Sequence, residues 1–118
     1  MTAFQALALV GLVTLPTLVL AQAGEMGDAR RGALLIAQYQ CGACHVIPGM
    51  AAARGAEGPP LTSFGLRSYI AGRVPNRPDL LARWIARPSD LVPSATMPDM
   101  GVPAQDARDM AAWLTGLR

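Results

Sequence analysis

The segment Gln40–Val46 reads Q-C-G-A-C-H-V and holds both cysteines and the single histidine of the chain. Two thiols three positions apart, with an imidazole beside them, suit four chemistries. A redox dithiol of the thioredoxin type needs a strand before the motif and a βαβ pattern around it. The residues that precede it, D-A-R-R-G-A-L-L-I-A-Q-Y-Q, have helical spacing instead (Ala33, Ile36, Ala37, Gln40). A disulfide between residues so close closes almost no loop and stabilises little. Zinc would find Cys41, Cys44 and His45 and no further Cys or His to complete its usual set. Covalent haem attachment uses all three residues at once: each sulfur adds to one vinyl group, and the adjacent imidazole reaches the iron. Gly42 and Ala43 are small enough to let a porphyrin lie close to the backbone. The segment therefore implies one haem c, bound through Cys41 and Cys44 with His45 on the metal.

With one histidine and no lysine, the opposite side of the iron falls to methionine, the pairing used in electron transfer. Met1 and Met26 lie in or beside the N-terminal apolar run, and Met50 is too near His45 to cross to the other face. Met110 belongs to a helical apolar stripe with Ala107, Ala111, Leu114 and Leu117, which makes it a core residue. The segment P-S-A-T-M-P-D-M-G remains, with Met97 the expected ligand and Met100 in reserve. Pro93 and Pro98 keep it from becoming helix and stiffen it as an extended loop.

The elements that must position these residues fit one small domain. Residues 3–21 carry no charge and end near Ala21 and Ala23, spaced as a signal peptidase requires. Cleavage after Ala23, or after Ala21, leaves about 95 residues. Residues 1–23 are thus expected to be a signal peptide or, since the run is long and lacks a basic start, an uncleaved membrane anchor. Arg30 and Arg31 sit on the side to be translocated, against the positive-inside trend. Either way residues 24–118 are expected outside the cytoplasm. All ten basic residues are arginine, and the formal charge is +2. No longer basic run exists and aromatic residues are few, which excludes nucleic acid as a partner.

After the haem motif, I-P-G-M-A-A-A-R-G-A-E-G-P-P-L reads as a Gly/Pro-rich loop. S-F-G-L-R-S-Y-I-A-G-R predicts a short helix ending near Gly72. Pro78 suits a first helical position, and L-L-A-R-W-I-A-R continues to a stop at Pro88, with Leu80, Leu81, Trp84 and Ile85 on one side. A last helix is expected over 103–117, and no strands. The fold class is all-α, three to four helices with long loops, which are reasonable only if a large apolar group forms the core they wrap.

The order of these features resembles the class I (mitochondrial-type) cytochromes c over nearly all of the chain after the leader. It is a helix with Gly32, then C-G-A-C-H, G-P-P-L (58–61), a helix ending at Pro88, P-S-A-T-M-P, and a closing helix bearing Trp113. The run from Arg67 to Pro98 is particularly similar to haem domains joined to some cytochrome oxidase second subunits, and to their small standalone relatives. The resemblance implies that Met97 is the axial methionine and that the carbonyl of Pro59 accepts from the second ring nitrogen of His45. It implies that Gly32 admits the Trp113 ring where first and last helices cross, and that Trp84 walls the haem. There are departures. Arg77 and Val102 stand where helix-capping hydroxyls are usual, and Ala95 where a hydroxyl often reaches a haem propionate. Arg73, Tyr69 and Asn76 are the substitutes considered for that contact.

The expected function is one-electron transport with no catalytic residue, the chain passing electrons in a respiratory chain to a membrane oxidase, or from a dehydrogenase. The two propionates would offset the formal +2 and leave little long-range steering. Three alternatives differ in observable ways. A haem subunit of a larger oxidase or dehydrogenase, held by residues 3–21, would stay on membranes after salt washing. An open-site haem sensor or peroxidase would bind carbon monoxide, and a thiol oxidoreductase would show titratable thiols.

Overall fold

The structure, a computed structural model, describes residues 26–118. The expected signal peptide or anchor over residues 1–23 lies outside them. The first helix, α1 (Ala29–Gln38), starts at Asp28, whose carboxylate accepts from the amides of Arg30 at 2.9 Å and Arg31 at 3.1 Å. Two of the donors that a helix start leaves unpaired are satisfied in this way. Gln40, at φ +56°, ends the helix in a left-handed conformation and turns the chain into the 3-10 turn Cys41–Ala43.

The buried side of α1 is Gly32, Leu35 and Ile36, while Ala37 and Gln40 are exposed. This corrects the stripe expected from Ala33, Ile36, Ala37 and Gln40. Residues 33–37 are all apolar, so periodicity alone does not select a side. Contact with the last helix does: a Cβ on Gly32 would stand 1.9 Å from the carbonyl oxygen of Asp109. The absent side chain thus admits the backbone of Asp109 and Met110, one turn before Trp113, rather than the indole ring itself.

The expected helix before Gly72 is replaced by a 3-10 turn, Phe64–Leu66, and a hairpin of two short strands. β1 (Tyr69–Ile70) pairs antiparallel with β2 (Val74–Pro75), in the register Tyr69↔Pro75 and Ile70↔Val74. Ala71 at φ +50° and Gly72 at φ +71° bring the amide of Arg73 to the carbonyl of Ile70 at 3.1 Å. Two left-handed central residues are what a tight hairpin turn requires. Strands of two residues leave no alternation to read, which is why they were not expected.

α2 (Pro78–Ala86) begins with proline in its first turn and buries Leu81, Ala82 and Ile85. Arg77 gives it no side-chain cap, in keeping with the absent hydroxyl. The chain does not leave helix for good at Pro88, which opens the single-turn α3 (Pro88–Leu91). Proline tolerates a first helical position because its missing N–H would be unpaired there anyway. α4 (Ala104–Thr115) buries Ala107, Met110, Ala111 and Leu114. Its N-cap is Pro103, again without a side-chain bond. The described residues thus form a mostly helical fold of four helices and one small sheet. Among them no helix is long and apolar enough to cross a membrane.

α1 and α4 are joined by charge as well as by close backbone approach. Asp109, 2% exposed, accepts from the Asp28 amide at 2.8 Å, from Gln105 Nε2 at 2.9 Å and from the Arg31 guanidinium. Arg31 also reaches Asp106 at 2.6 Å, and the Tyr39 hydroxyl donates to Asp106 at 2.9 Å. Burial pushes the Asp109 carboxyl up, but its amide, guanidinium and carboxamide donors outweigh that and hold it below the usual carboxylate range. A buried carboxylate with this many partners is stable as an anion.

Candidate functional site

The turn Cys41–Ala43 is held by the segment that follows it. Gly55 N donates to Gly42 O at 3.0 Å, Gly58 N to Cys44 O at 2.8 Å and Leu61 N to Val46 O at 2.9 Å. Two glycines make this fold-back possible. A Cβ on Gly55 would stand 2.3 Å from Ala43 O, and one on Gly58 would lie 2.3 to 2.8 Å from three atoms of the His45 ring. The imidazole therefore lies directly on the Gly58 backbone. One residue further, the Pro59 carbonyl is 2.7 Å from His45 Nδ1. A carbonyl only accepts, so Nδ1 carries the proton and Nε2 keeps its lone pair for a ligand or metal.

His45 stands on the wall of a cavity of about 490 Å³, a size typical of small-molecule and cofactor sites. Apolar side chains dominate the wall, among them Ile36 from α1, Phe64, Leu81 and Ile85 from α2, and Leu114 from α4. The residues singled out from sequence converge here: Cys41, Cys44, His45, Pro59, Tyr69, Arg73, Trp84 and Met97 all line it. Trp84 is half-buried and Tyr69 is 56% exposed, so the first closes the wall and the second stands at its rim.

The methionines separate by position. Met97 lies on the cavity wall, whereas Met100 is 49% exposed and absent from it. Met110 is 2% exposed, within the core, and also forms part of the wall. Met50 lines a separate shallow groove with Ile47 and Arg54, and Met26 is 79% exposed.

Asn76 does not reach the cavity. Its Nδ2 donates to the carbonyls of Phe64 at 3.2 Å and Arg67 at 2.9 Å, so the amide ties the 3-10 turn to the end of the hairpin. Sequence reasoning passed over two kinds of polar group on the wall. Ser94 and Thr96, which flank Ala95, line the cavity with it, so the hydroxyl missing at Ala95 has hydroxyl-bearing neighbours on both sides. Arg67 joins Arg73 as a second guanidinium there. It donates to Pro60 O and lies 5.2 Å over the Phe64 ring. An isolated arginine in a loop carries no pattern that would have marked it.

Cys41 and Cys44 are both free thiols, the first half-buried and the second exposed. Burial pushes the Cys41 thiol above its ordinary value, so it is not poised as a thiolate nucleophile. Among the described residues no three His, Cys, Asp or Glu side chains are grouped to hold a metal ion. The arrangement instead offers two thiols, one imidazole and the thioethers of Met97 and Met110 around an apolar space.

No family model matches the chain. Over 90 residues it is 33% identical to cytochrome c oxidase subunit 2 of Alkalihalophilus pseudofirmus. That similarity takes in 76% of this chain and spans 25% of the relative's length.

Proposed function

We propose that the chain is an extracytoplasmic one-electron carrier with a covalent c-type haem, built as a class I cytochrome c domain and serving a respiratory oxidase. The observation that carries this reading is the convergence of Cys41, Cys44, His45 and Met97 on one apolar cavity, with the Pro59 carbonyl fixing the His45 tautomer. The donor set fits the group. Cys41 and Cys44 would hold the porphyrin through thioether bonds, and His45 and Met97 would bind its iron. When bound, the haem supplies reversible one-electron chemistry at iron.

The protein's own part is to orient and to exclude water. The Pro59 carbonyl accepts from Nδ1 and so directs Nε2 outward as the ligand atom, while raising the basicity of the ring. Leu81, Ile85, Trp84 and Phe64 keep water from the cavity, which favours the less charged state of a bound metal. A thioether from Met97 favours the reduced state further. Arg67, Arg73 and Tyr69, with the hydroxyls of Ser94 and Thr96, supply donors for two carboxylates.

The similarity to an oxidase second subunit supports a second form of the same reading, in which this domain is a haem subunit held in a larger membrane complex. Retention on membranes after a salt wash distinguishes it from a free carrier.

The test of the haem reading is the visible spectrum of protein matured in a periplasm, beside Met97→Ala and Met100→Ala. Wild type and Met100→Ala are expected to show the weak long-wavelength methionine–iron band in the ferric state, and Met97→Ala to lose it. A wild type without the band that binds carbon monoxide would replace electron transport with the open-site reading.

A further inference from the structure

The segment that carries Met97 is tied to the rest of the protein by hydrogen bonds at one point. Residues 96–102 make no hydrogen bond with the protein, among the described residues, except through the carboxylate of Asp99. That carboxylate accepts from Ser89 Oγ at 2.6 Å and from Ser89 N at 3.2 Å. Ser89 follows Pro88, one of the most deeply buried residues, so the far side of the clamp is fixed in the core. The clamp closes the stretch from Ser89 to Asp99, ten positions apart, and Met97 lies two positions inside it. Buried Val92 lies within the stretch, buried Val102 lies three residues beyond Asp99, and Gly101 at φ +68° reverses the chain just past the clamp.

Two rigid prolines and one carboxylate thus do what a network of backbone bonds does in an ordinary loop. Pro93 and Pro98 limit the shapes the loop can take, but they do not attach it. Apolar contact of Met97 with the cavity wall is non-directional, so it does not fix where the sulfur points. Ala95 N donates to Val92 O at 2.9 Å before Met97; from Thr96 to Val102, among the described residues, only the Asp99–Ser89 pair is directional.

We propose that Asp99 is a positioning residue which, through Ser89, holds the Met97 segment closed over the cavity and sets how readily an outside ligand displaces Met97. This rests on the reading above, in which Met97 binds haem iron. Opening of the loop exposes the sixth position, and re-closing competes with any incoming ligand. Removing a charged hydrogen-bond acceptor favours the open form, though its solvent exposure keeps the effect modest.

The experiment is stopped-flow binding of imidazole to the ferric holoprotein, for wild type, Asp99→Ala, Asp99→Asn, Ser89→Ala and the control Asp79→Ala. Asp79 is exposed and pairs only with Arg77. Asp99→Ala is expected to bind imidazole about fivefold faster than wild type. Ser89→Ala keeps the amide donor and is expected to bind about threefold faster. Asp99→Asn keeps an acceptor oxygen for Ser89, whose hydroxyl rotates to suit, and is expected to stay within twofold of wild type. The thermal midpoint, read alongside, separates loop opening, which leaves it near that of wild type, from general loosening, which lowers it, and Asp79→Ala reports the effect of removing an exposed carboxylate elsewhere. An intact methionine–iron band with unchanged rates in Asp99→Ala and Ser89→Ala overturns the clamp and leaves the ligation reading standing. A wild type without the band overturns both. Should Asp99→Ala fail to accumulate, the Ser89→Ala rate decides alone.

Discussion

At the scale of single residues, the site depends as much on what is missing as on what is present. The His45 ring rests on Gly58, where a methyl group would lie 2.3 Å from Cε1. Such overlap requires the ring or the loop to move. Gly58→Ala is therefore expected to break the Pro59–His45 hydrogen bond and to reduce haem retention at least tenfold, measured as haem absorbance per protein after periplasmic maturation. A Gly55→Ala chain is expected to fail in the same assay, since its Cβ would meet the Ala43 and Cys44 backbone. Arg67 offers a gentler perturbation. It donates to Pro60 O, one residue from the carbonyl that His45 uses. Arg67→Met keeps the stacking bulk and removes the donors, and is expected to speed exchange of the His45 Nδ1 proton several-fold by NMR while haem remains attached.

At the scale of elements, the pairing of α1 with α4 organises the domain. Its polar part is Arg31 and Tyr39 facing Asp106 and Asp109, with Gln105 and the Asp28 amide completing the set. Arg31 and Tyr39 hold Asp106 below the ordinary carboxylate value, and Asp109 is held low as well. A folded value below the unfolded one means that stability is present above the unfolded value, about pH 3.9. It is lost as pH falls through the folded values. The urea midpoint is expected to be flat near neutral pH and to drop below about pH 4. Asp109→Asn is expected to show a lower midpoint at pH 7 and a shallower drop in acid. Asp109→Ala is expected to cost about 2–4 kcal/mol at pH 7, because the Asp28 amide and Arg31 lose a buried partner.

The same elements mark what sequence reasoning reached. Helices with distinct signals were legible: the run before Cys41 that forms α1, Pro78 opening α2, and the stripe of Ala107, Met110, Ala111 and Leu114 in α4. Of the residues that line the cavity, Cys41, Cys44, His45 and Met97 were singled out by type and spacing, whereas Pro59, Trp84, Tyr69 and Arg73 were reached only through the resemblance. The hairpin was not legible, since strands of two residues carry no period and Ala71 is not a residue type that announces a left-handed turn. Gln40 hid the end of α1 for the same reason. Gln40→Gly, which relieves that conformation, is expected to raise the thermal midpoint, by about 0.5–1 kcal/mol of stability. Asp109 escaped notice because a carboxylate in an amphipathic helix reads as solvent-facing until its partner helix is known. Arg67 and Asp99 act through backbone groups that no sequence pattern specifies.

At the scale of the whole molecule, the buried apolar side chains form one cluster, and Ile36, Leu81, Ile85 and Leu114 of that cluster also wall the cavity. A cavity of about 490 Å³ is large beside a chain of this length, and empty apolar volume is costly. The protein without a group in that cavity is expected to lack a stable core. Cys41→Ser with Cys44→Ser, which removes both attachment points, is expected to lose the cooperative thermal transition and most near-ultraviolet circular dichroism. A sharp transition in that variant would show that the helices pack adequately by themselves.

The bond from the Asp28 amide to Asp109 spans 81 positions of the chain, and this has a consequence for timing. The contact between the start of α1 and α4 can form only once both lengths of chain are available, although the Asp28 carboxylate already caps Arg30 and Arg31 locally. Until then the turn Cys41–Ala43 has its local bonds but no closing helix over it. An attachment machinery that acts on Cys41 and Cys44 would meet an open, partly ordered strip of chain rather than a finished pocket. Were a group joined there, α4 would close over it afterwards.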